Sequence, residues 1–246
     1  MILLVDIGNS RIKWVIDERG KLQTQGQVSH SAENWTELAA RLWGSLERPA
    51  RAIIVNVAGV EARASLTNWI WQRWAIEAEF VVSTATACGV CNAYAEPERL
   101  GADRWVAMIA ARAIIGQNCY VVDCGTAITI DALAASGRHV GGVIIPGMRL
   151  MREALYRDTQ QITLEDGQKH LFGQSTGDAV WGGTAYAVAA AIDGITARME
   201  VIAGDGPRLL TGGDARAVLP FLQAPYQWEP DLIFQGLHVI AGPGSV

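Results

Sequence analysis

The stretch Val5-Asp6-Ile7-Gly8-Asn9-Ser10-Arg11-Ile12-Lys13-Trp14 sets the reading of this 246-residue chain. An apolar run, Met1 to Val5, leads into an acid, a glycine, an asparagine and then two cations, Arg11 and Lys13. A plain β-hairpin with a polar turn has this pattern, and so does a loop that holds phosphate. Asp and Asn cap turns through their own side chains, so either residue alone fits the plain hairpin.

The rest of the chain bears on the choice. Residues 2–7, 11–17 and 21–28 read as three short strands, with turns at Gly8 and at Glu18-Arg19-Gly20. Apolar residues at helical spacing predict a helix over 32–46. A buried strand in Arg51–Gly59, a helix in Ala62–Trp74 and a strand in Ala78–Ser83 follow. Another helix is expected from Asp103 to Gly116. Then the opening pattern returns. Strands at 119–124, 127–134 and 138–145 precede a helix that begins after Pro146-Gly147. Asp123-Cys124-Gly125-Thr126 stands where Asp6-Ile7-Gly8-Asn9 stood, at the end of a first strand and before a second. A short D-x-G match arises easily by chance. A match within a repeated order of elements points to a duplicated βββα unit, two similar lobes with a cleft between them. A third signal is Leu209-Leu210-Thr211-Gly212-Gly213-Asp214, a strand running into two glycines before a helix. Such glycines let backbone approach a flat ligand, and amides at the next helix start favour anions; a tight strand-to-helix turn has the same look.

Composition narrows the function classes. The net charge is −5, the pI is about 5.4, and no Lys/Arg-rich run occurs, so general nucleic-acid or membrane-surface binding lacks an electrostatic basis. The apolar start is too short for a signal-peptide core, and no window approaches the ~20 apolar residues of a membrane span. The expectation is a soluble cytoplasmic protein. Half the residues are hydrophobic and only 18% are charged, which fits a sizeable core and a buried subunit interface. Cys88 and Cys91 form a lone C-x-x-C, with Cys119 and Cys124 further on. A four-thiolate zinc site would need better spacing in the second pair, and a redox pair would open a helix, so packing is the simpler role.

Taken together, the two D-x-G loops and the T-G-G-D turn carry what triphosphate chemistry requires. Gly8 and Gly125 clear space, and Asn9, Ser10 and Thr126 are short donors. Lys13 is a candidate phosphate cation, and Asp6 and Asp123 are candidate cation ligands. No G-x-x-x-x-G-K-[ST] occurs, nor a G-x-G-x-x-G that opens a helix after a strand, so neither a P-loop nor a dinucleotide fold is indicated.

The combination D-I-G-N-S-x-x-K, D-C-G-T-A and L-T-G-G-D resembles the superfamily of acetate and sugar kinases, actin and the heat-shock chaperones. Within it, the chain is similar to the type III pantothenate kinases, a family that includes the Bvg accessory factors. The specific tie is Leu100-Gly101-Ala102-Asp103-Arg104-Trp105, which matches the family's G-x-D-R motif, and Gly142-Val143-Ile144-Ile145-Pro146-Gly147 matches its I-x-P-G segment. The resemblance spans nearly the whole chain, least tightly over 20–85. It implies an α/β fold of duplicated ribonuclease-H-like βββαβα lobes, actin-like, over residues 1–115 and 116–246, with a nucleotide cleft between them. It implies transfer of the ATP γ-phosphoryl group to the primary hydroxyl of pantothenate, the first step toward coenzyme A. Mg²⁺ would accompany ATP, a monovalent cation (K⁺ or NH₄⁺) would bind, and the protein would be a homodimer. By position, Asp6, Ile7, Gly8, Asn9, Ser10, Arg11, Ile12 and Lys13 would hold ATP together with Thr126, and Asp123 would bind the monovalent cation. Asp103 would be the general base. Tyr94, Gly101, Ala102, Asp103 and Arg104 would line the pantothenate site, and Thr176 would reach it from the neighbouring subunit.

An ordinary Asp has a pKa near 3.9, so Asp103 would be ionised and weakly basic at neutral pH, which suffices for a hydroxyl whose proton leaves as the bond forms. A helix-start acid beside a surface arginine is the plain reading of the same pair. Two other functions remain at this level: a kinase of the same superfamily for another small substrate, and a regulatory relative that binds without catalysis.

Overall fold

A computed structural model describes residues 1–30, 34–162 and 165–242, with residues 24 and 25 described by backbone alone. The chain forms two compact units. One comprises Met1–Ile114 together with the segment from Asp231 onward; the other is Ile115–Pro230.

In the first unit, β1 (Ile2–Ile7), β2 (Arg11–Glu18) and β3 (Lys21–Ser29) form an antiparallel meander. After α1 (Trp35–Trp43), strand β4 (Arg51–Asn56) pairs parallel to β1, and after α2 (Val60–Trp74), β5 (Ala78–Phe80) pairs parallel to β4. The sheet order is β3-β2-β1-β4-β5. The helix expected over 32–46 spans less, and residues 32 and 33 lie outside the described residues. Asn34 caps α1, its side-chain oxygen accepting from the Thr36 amide at 3.0 Å.

Strand periodicity of two sorts the residues of this sheet onto two faces. Leu3, Val5 and Ile7 of β1 and Ile12, Trp14 and Ile16 of β2 share one buried cluster with Leu38, Trp43, Leu66, Trp69 and Trp74 of α1 and α2. Edge-on and tilted indole contacts run through it, from Trp14 to Trp43, Trp69 and Trp74, with ring centres 6.4, 6.0 and 5.0 Å apart in turn. Ile2, Leu4, Val15, Ile53 and Val55 are buried on the other face. By the same alternation, Asp6, Lys13 and Asp17 belong to that second face.

Two further helices complete the first unit. A short hairpin, β6 (Thr86–Ala87) and β7 (Val90–Cys91), leads toward α3 (Ala102–Ile115). The last helix, α7 (Leu232–Ala241), packs on β1 and β4. The sequence reading assigned residues 116–246 to the second lobe; α7 instead completes the core of the first. Leu232, Ile233, Phe234, Gly236 and Leu237 are all buried, so this helix has too little polar surface to stand away from a sheet.

The second unit repeats the plan. Strands β8 (Cys119–Cys124), β9 (Ala127–Leu133) and β10 (His139–Pro146) form the meander. Helices α4 (Met148–Asp158) and α5 (Thr176–Ala203) follow, then β11 (Arg208–Thr211), α6 (Ala215–Val218) and β12 (Gln227–Trp228). The order β10-β9-β8-β11-β12 reproduces that of the first sheet position by position, with β11 parallel to β8 and β12 parallel to β11. Val122 and Cys124 face the helix-side core with Ile128, Ile130, Val188 and Ile192. Asp123 therefore falls on the opposite face, as Asp6 does in the first unit. No described helix is long and apolar enough to cross a membrane.

Candidate active site

In the first unit the turn Gly8–Arg11 is closed by the Gly8 amide, which donates to the Arg11 carbonyl at 3.0 Å. The β1–β2 register then sets Asp6 directly across from Lys13, on the face away from the tryptophan cluster. Ile7 and Ile12 are fully buried in that cluster, so only their backbones are available to a ligand. Asn9 and Arg11 are exposed and Ser10 is half-buried. The loop has a support that the sequence reading missed. His30, just past β3, lies with Nε2 2.8 Å from the Gly8 carbonyl oxygen, its amide donates to the Ser10 carbonyl at 3.1 Å, and its ring stacks at a tilt on Trp35. A histidine just past a predicted strand offers no spacing that would link it to a loop twenty residues earlier.

Asp103 lies in the first turn of α3. Its carboxylate accepts the Arg104 amide at 2.8 Å, and a side-chain carbon at Gly101 would come within 2.6 Å of Oδ1, so glycine at 101 leaves room for the acid to fold back over the helix start. Ser83, buried, donates to the Leu100 carbonyl at 2.8 Å and steadies that approach. Arg104 is 95% buried and donates to the Tyr94 hydroxyl at 3.0 Å, with its guanidinium 5.8 Å from the ring centre. Tyr94 is itself placed by Asn92, whose side-chain oxygen accepts the Tyr94 amide at 3.0 Å while its NH₂ reaches the Pro97 and Thr84 carbonyls. Asn92 is a second residue that only the structure brings forward.

Electrostatics join these pieces. Removal from solvent pushes the Asp6 carboxyl up to about 6; Lys13 opposes that shift and the negative charge of Asp103 adds to it. Lys13 and Asp103 thus both act on Asp6, and Arg104 links Asp103 to the Tyr94 hydroxyl.

In the second unit, Thr211 of β11 pairs in register with Asp123 of β8. The next residue, Gly212, has φ +96, and a side chain there would overlap the Asp123 carboxylate and the Cys124 carbonyl. The Asp214 amide donates to the Cys124 carbonyl at 2.8 Å, which closes the T-G-G-D turn onto the D-C-G-T strand end. Asp123 and Asp214 are close enough that, after burial itself, both push the Cys124 thiol well above its ordinary range. The Gly147 amide donates to the Thr126 carbonyl at 3.0 Å, and a side chain at 147 would overlap the Gly125 and Thr126 carbonyls. The I-x-P-G and D-C-G-T segments are therefore in backbone contact. Where Asp6 faces Lys13, Asp123 faces Thr129, so the duplicated site does not copy the cation.

Thr176 is the first residue of α5 and is exposed; Ser175 caps the helix, its hydroxyl oxygen accepting the Asp178 amide at 3.1 Å. The segment before it lies along the first turns of α5, with the Gln168 amide donating to Asp178 at 2.7 Å and Trp181 donating to the Glu165 carbonyl at 3.0 Å. Cys119 and Cys124 are buried in β8, whereas Cys88 and Cys91 are exposed on the β6–β7 hairpin. Among the described residues, no three His, Cys, Asp or Glu side chains gather to hold a metal.

The sequence profile of the type III pantothenate kinases covers residues 2–198. The chain belongs to the type III pantothenate kinase family. The type III pantothenate kinase of Nitrosococcus oceani is 37% identical over 98% of this chain and 94% of its own length. That of Nitrosospira multiformis is 36% identical over 98% and 91%. Among solved structures, a conserved Baf-family protein from Campylobacter jejuni aligns with a TM-score of 0.59 at 21% identity, covering 98% of both chains. The activator of 2-hydroxyisocaproyl-CoA dehydratase from Clostridium difficile, solved with bound ADPNP, aligns with a TM-score of 0.55 at 12% identity, covering 98% of this chain and 93% of its own. At those identities the likeness is one of fold: duplicated ribonuclease-H-like α/β units.

Proposed function

We propose that Asp103 accepts the proton of the pantothenate primary hydroxyl while the loop from Asp6 to Lys13 holds the ATP phosphates. The reaction is that of the family: an ATP-dependent pantothenate kinase transfers the γ-phosphoryl group to pantothenate, the first step of coenzyme A biosynthesis. The observation that carries the residue assignment is that Lys13, across the β1–β2 register, and Asp103, at the start of α3, both lie close enough to act on the Asp6 carboxyl. Phosphoryl transfer through a loose transition state asks for positioned charge rather than a strong base, and this cluster supplies it.

Within the loop, Gly8, Asn9, Ser10 and Arg11 offer backbone and side-chain donors, Ile7 and Ile12 offer backbone only, and Lys13 supplies the cation. Thr126 contacts ATP. Tyr94, Gly101, Ala102 and Arg104 line the pantothenate site, with Arg104 held in place by the Tyr94 hydroxyl.

A divalent metal accompanies ATP in this family. A carboxyl raised to about 6 by burial favours a cation beside it, so Asp6 fits such an ion, which would offset phosphate charge. The monovalent cation, K⁺ or NH₄⁺, is assigned to Asp123. Support comes from the donor set there: the Asp123 and Asp214 carboxylates with adjacent backbone carbonyls are oxygen ligands, suited to a hard cation. With only two carboxylates, carbonyls and water would complete the shell. We further read the enzyme as a cytoplasmic homodimer in which Thr176 reaches the partner's pantothenate site; its exposure at the start of α5 supports that role.

The test is an ADP-release assay with ATP and pantothenate, with K⁺ or NH₄⁺ exchanged for Na⁺. The expected result is pantothenate-dependent ADP formation that requires K⁺ or NH₄⁺; no ADP formation with any cation overturns the reading. In the same assay Asp103→Asn lowers turnover by roughly 10²-fold or more, the range of general-base catalysis, with ATP binding kept. Near-normal turnover would take the base role from Asp103.

A further inference from the structure

We infer that Gly236 is a positioning residue for phosphoryl transfer: it sets how close α3, and with it Asp103, stands to β1, the strand that carries Asp6. The inference rests on the reading of Asp103 and Asp6 given above and concerns a helix outside the segment that the family profile matches.

Three contacts define the device. First, α7 packs on β1 and β4, on the sheet face that holds Ile2 and Leu4 and, further along the same strand, Asp6. Second, α7 meets α3 at Gly236. A side-chain carbon there would overlap the Val106 carbonyl oxygen and come within 2.6 Å of Val106 Cγ1, so the helices touch backbone to backbone. Val106 is three residues from Asp103, on the same face of α3. The surface that leans on α7 is therefore the one that carries the acid.

Third, the C-terminal end of α7 is pinned. His238 Nδ1 and Asp17 Oδ2 are 2.5 Å apart, and Asp17, buried on β2, also accepts the Gly20 amide at 2.9 Å. Arg51 donates to the Ala241 carbonyl at 2.9 Å while its other nitrogens grip Glu79 at 2.7 and 2.6 Å. A helix fixed to the sheet in this way cannot retreat when its contact with α3 is overfilled, so α3 must move. Glycine is a poor helix residue, and inside an apolar helix it calls for a packing reason; the crossing supplies one.

The test is Gly236→Ala. Helix propensity alone favours alanine, so a fault in this variant is one of fit. An added methyl separates the two backbones by roughly 1 Å, and a misplacement of that size can lower turnover by about 10²-fold. The expected result is a folded protein, with cooperative urea unfolding, whose kcat falls by roughly 10²-fold while KM for ATP stays within about twofold, measured well below its melting temperature. Val106→Ala loosens the same crossing from the other side and is expected to lower kcat by roughly 10-fold, with KM for ATP again kept. A folded Gly236→Ala enzyme at wild-type kcat overturns the inference, even if its melting temperature changes, because a purely structural glycine predicts that outcome. Should Gly236→Ala give no folded protein, wild-type kcat in Val106→Ala overturns it instead. Asp103→Asn run in parallel separates the two readings. Near-normal turnover there, with Gly236→Ala impaired, removes Asp103 as base and leaves the crossing as the element that places α3.

Discussion

Replacing Asp6 with Asn should make the ligand-free protein more stable at neutral and alkaline pH while removing its grip on ATP. Burial raises this carboxyl from an ordinary 3.8 to about 6, in spite of Lys13 directly across the hairpin. The sign follows from linkage. A raised folded-state pKa means that ionised Asp6 costs more in the folded protein than in the unfolded chain. Its contribution to stability is therefore fully present below about pH 3.8 and is lost as pH rises through about 6. The displacement is about two pH units, or about 3 kcal/mol at ~1.36 kcal/mol per unit, an upper figure because Asp6 is only partly buried. Asn carries no charge and escapes that cost. Urea unfolding of both proteins, without nucleotide or divalent metal, should show Asp6→Asn more stable by about 1–3 kcal/mol at pH 8, with the advantage gone near pH 4. ATP binding by calorimetry should be lost over the same range. A variant less stable at pH 8, or a difference that does not change with pH, would refute the claim that Asp6 is held at a cost for its ligand.

Two further outcomes follow from the second unit. Gly212→Ala, at φ +96 against the Asp123 carboxylate, should lower stability by roughly 2–3 kcal/mol through backbone strain and overpacking, and should raise the K⁺ concentration needed for half-activation; a wild-type K⁺ titration would separate Asp123 from the cation. Mixing an inactive Thr176 variant with an inactive Asp103 variant, after subunit exchange has been demonstrated, should restore activity; none restored would count against a shared pantothenate site.

Much of this was legible in the chain. The two D-x-G turns are local: a strand, a tight polar turn and a returning strand fix one another through nearest neighbours, and the repeated order of elements exposed the duplication. The G-x-D-R motif lies on a helix start that its own residues specify. Other parts were not legible. α5, 28 residues long, went unread because Gly177, Gly182, Gly183 and Gly194 interrupt its pattern. Gly182, one of these, is present because a side chain there would overlap the His170 carbonyl, a contact that no periodicity shows. His30 and Asn92 escaped for a related reason. Each acts through hydrogen bonds to backbone groups, and Asn and His are common in loops for many reasons.

The ownership of α7 shows the division most plainly. Its sequence, LIFQGLHVIA, announces a helix that must be buried on several sides. It does not say against which sheet, since burial is satisfied by any apolar surface of the right shape. That was settled by groups far away in the chain: Asp17 for His238, Arg51 for the Ala241 carbonyl, and the bare backbone at Val106 for Gly236. Local sequence thus named the chemistry, the acids, the lysine and the glycine turns, because turn and strand propensities act over a few residues. The placing of Asp103 close enough to Asp6 to act on its carboxyl waited for long-range packing, because distance between remote residues is a property of the closed fold alone.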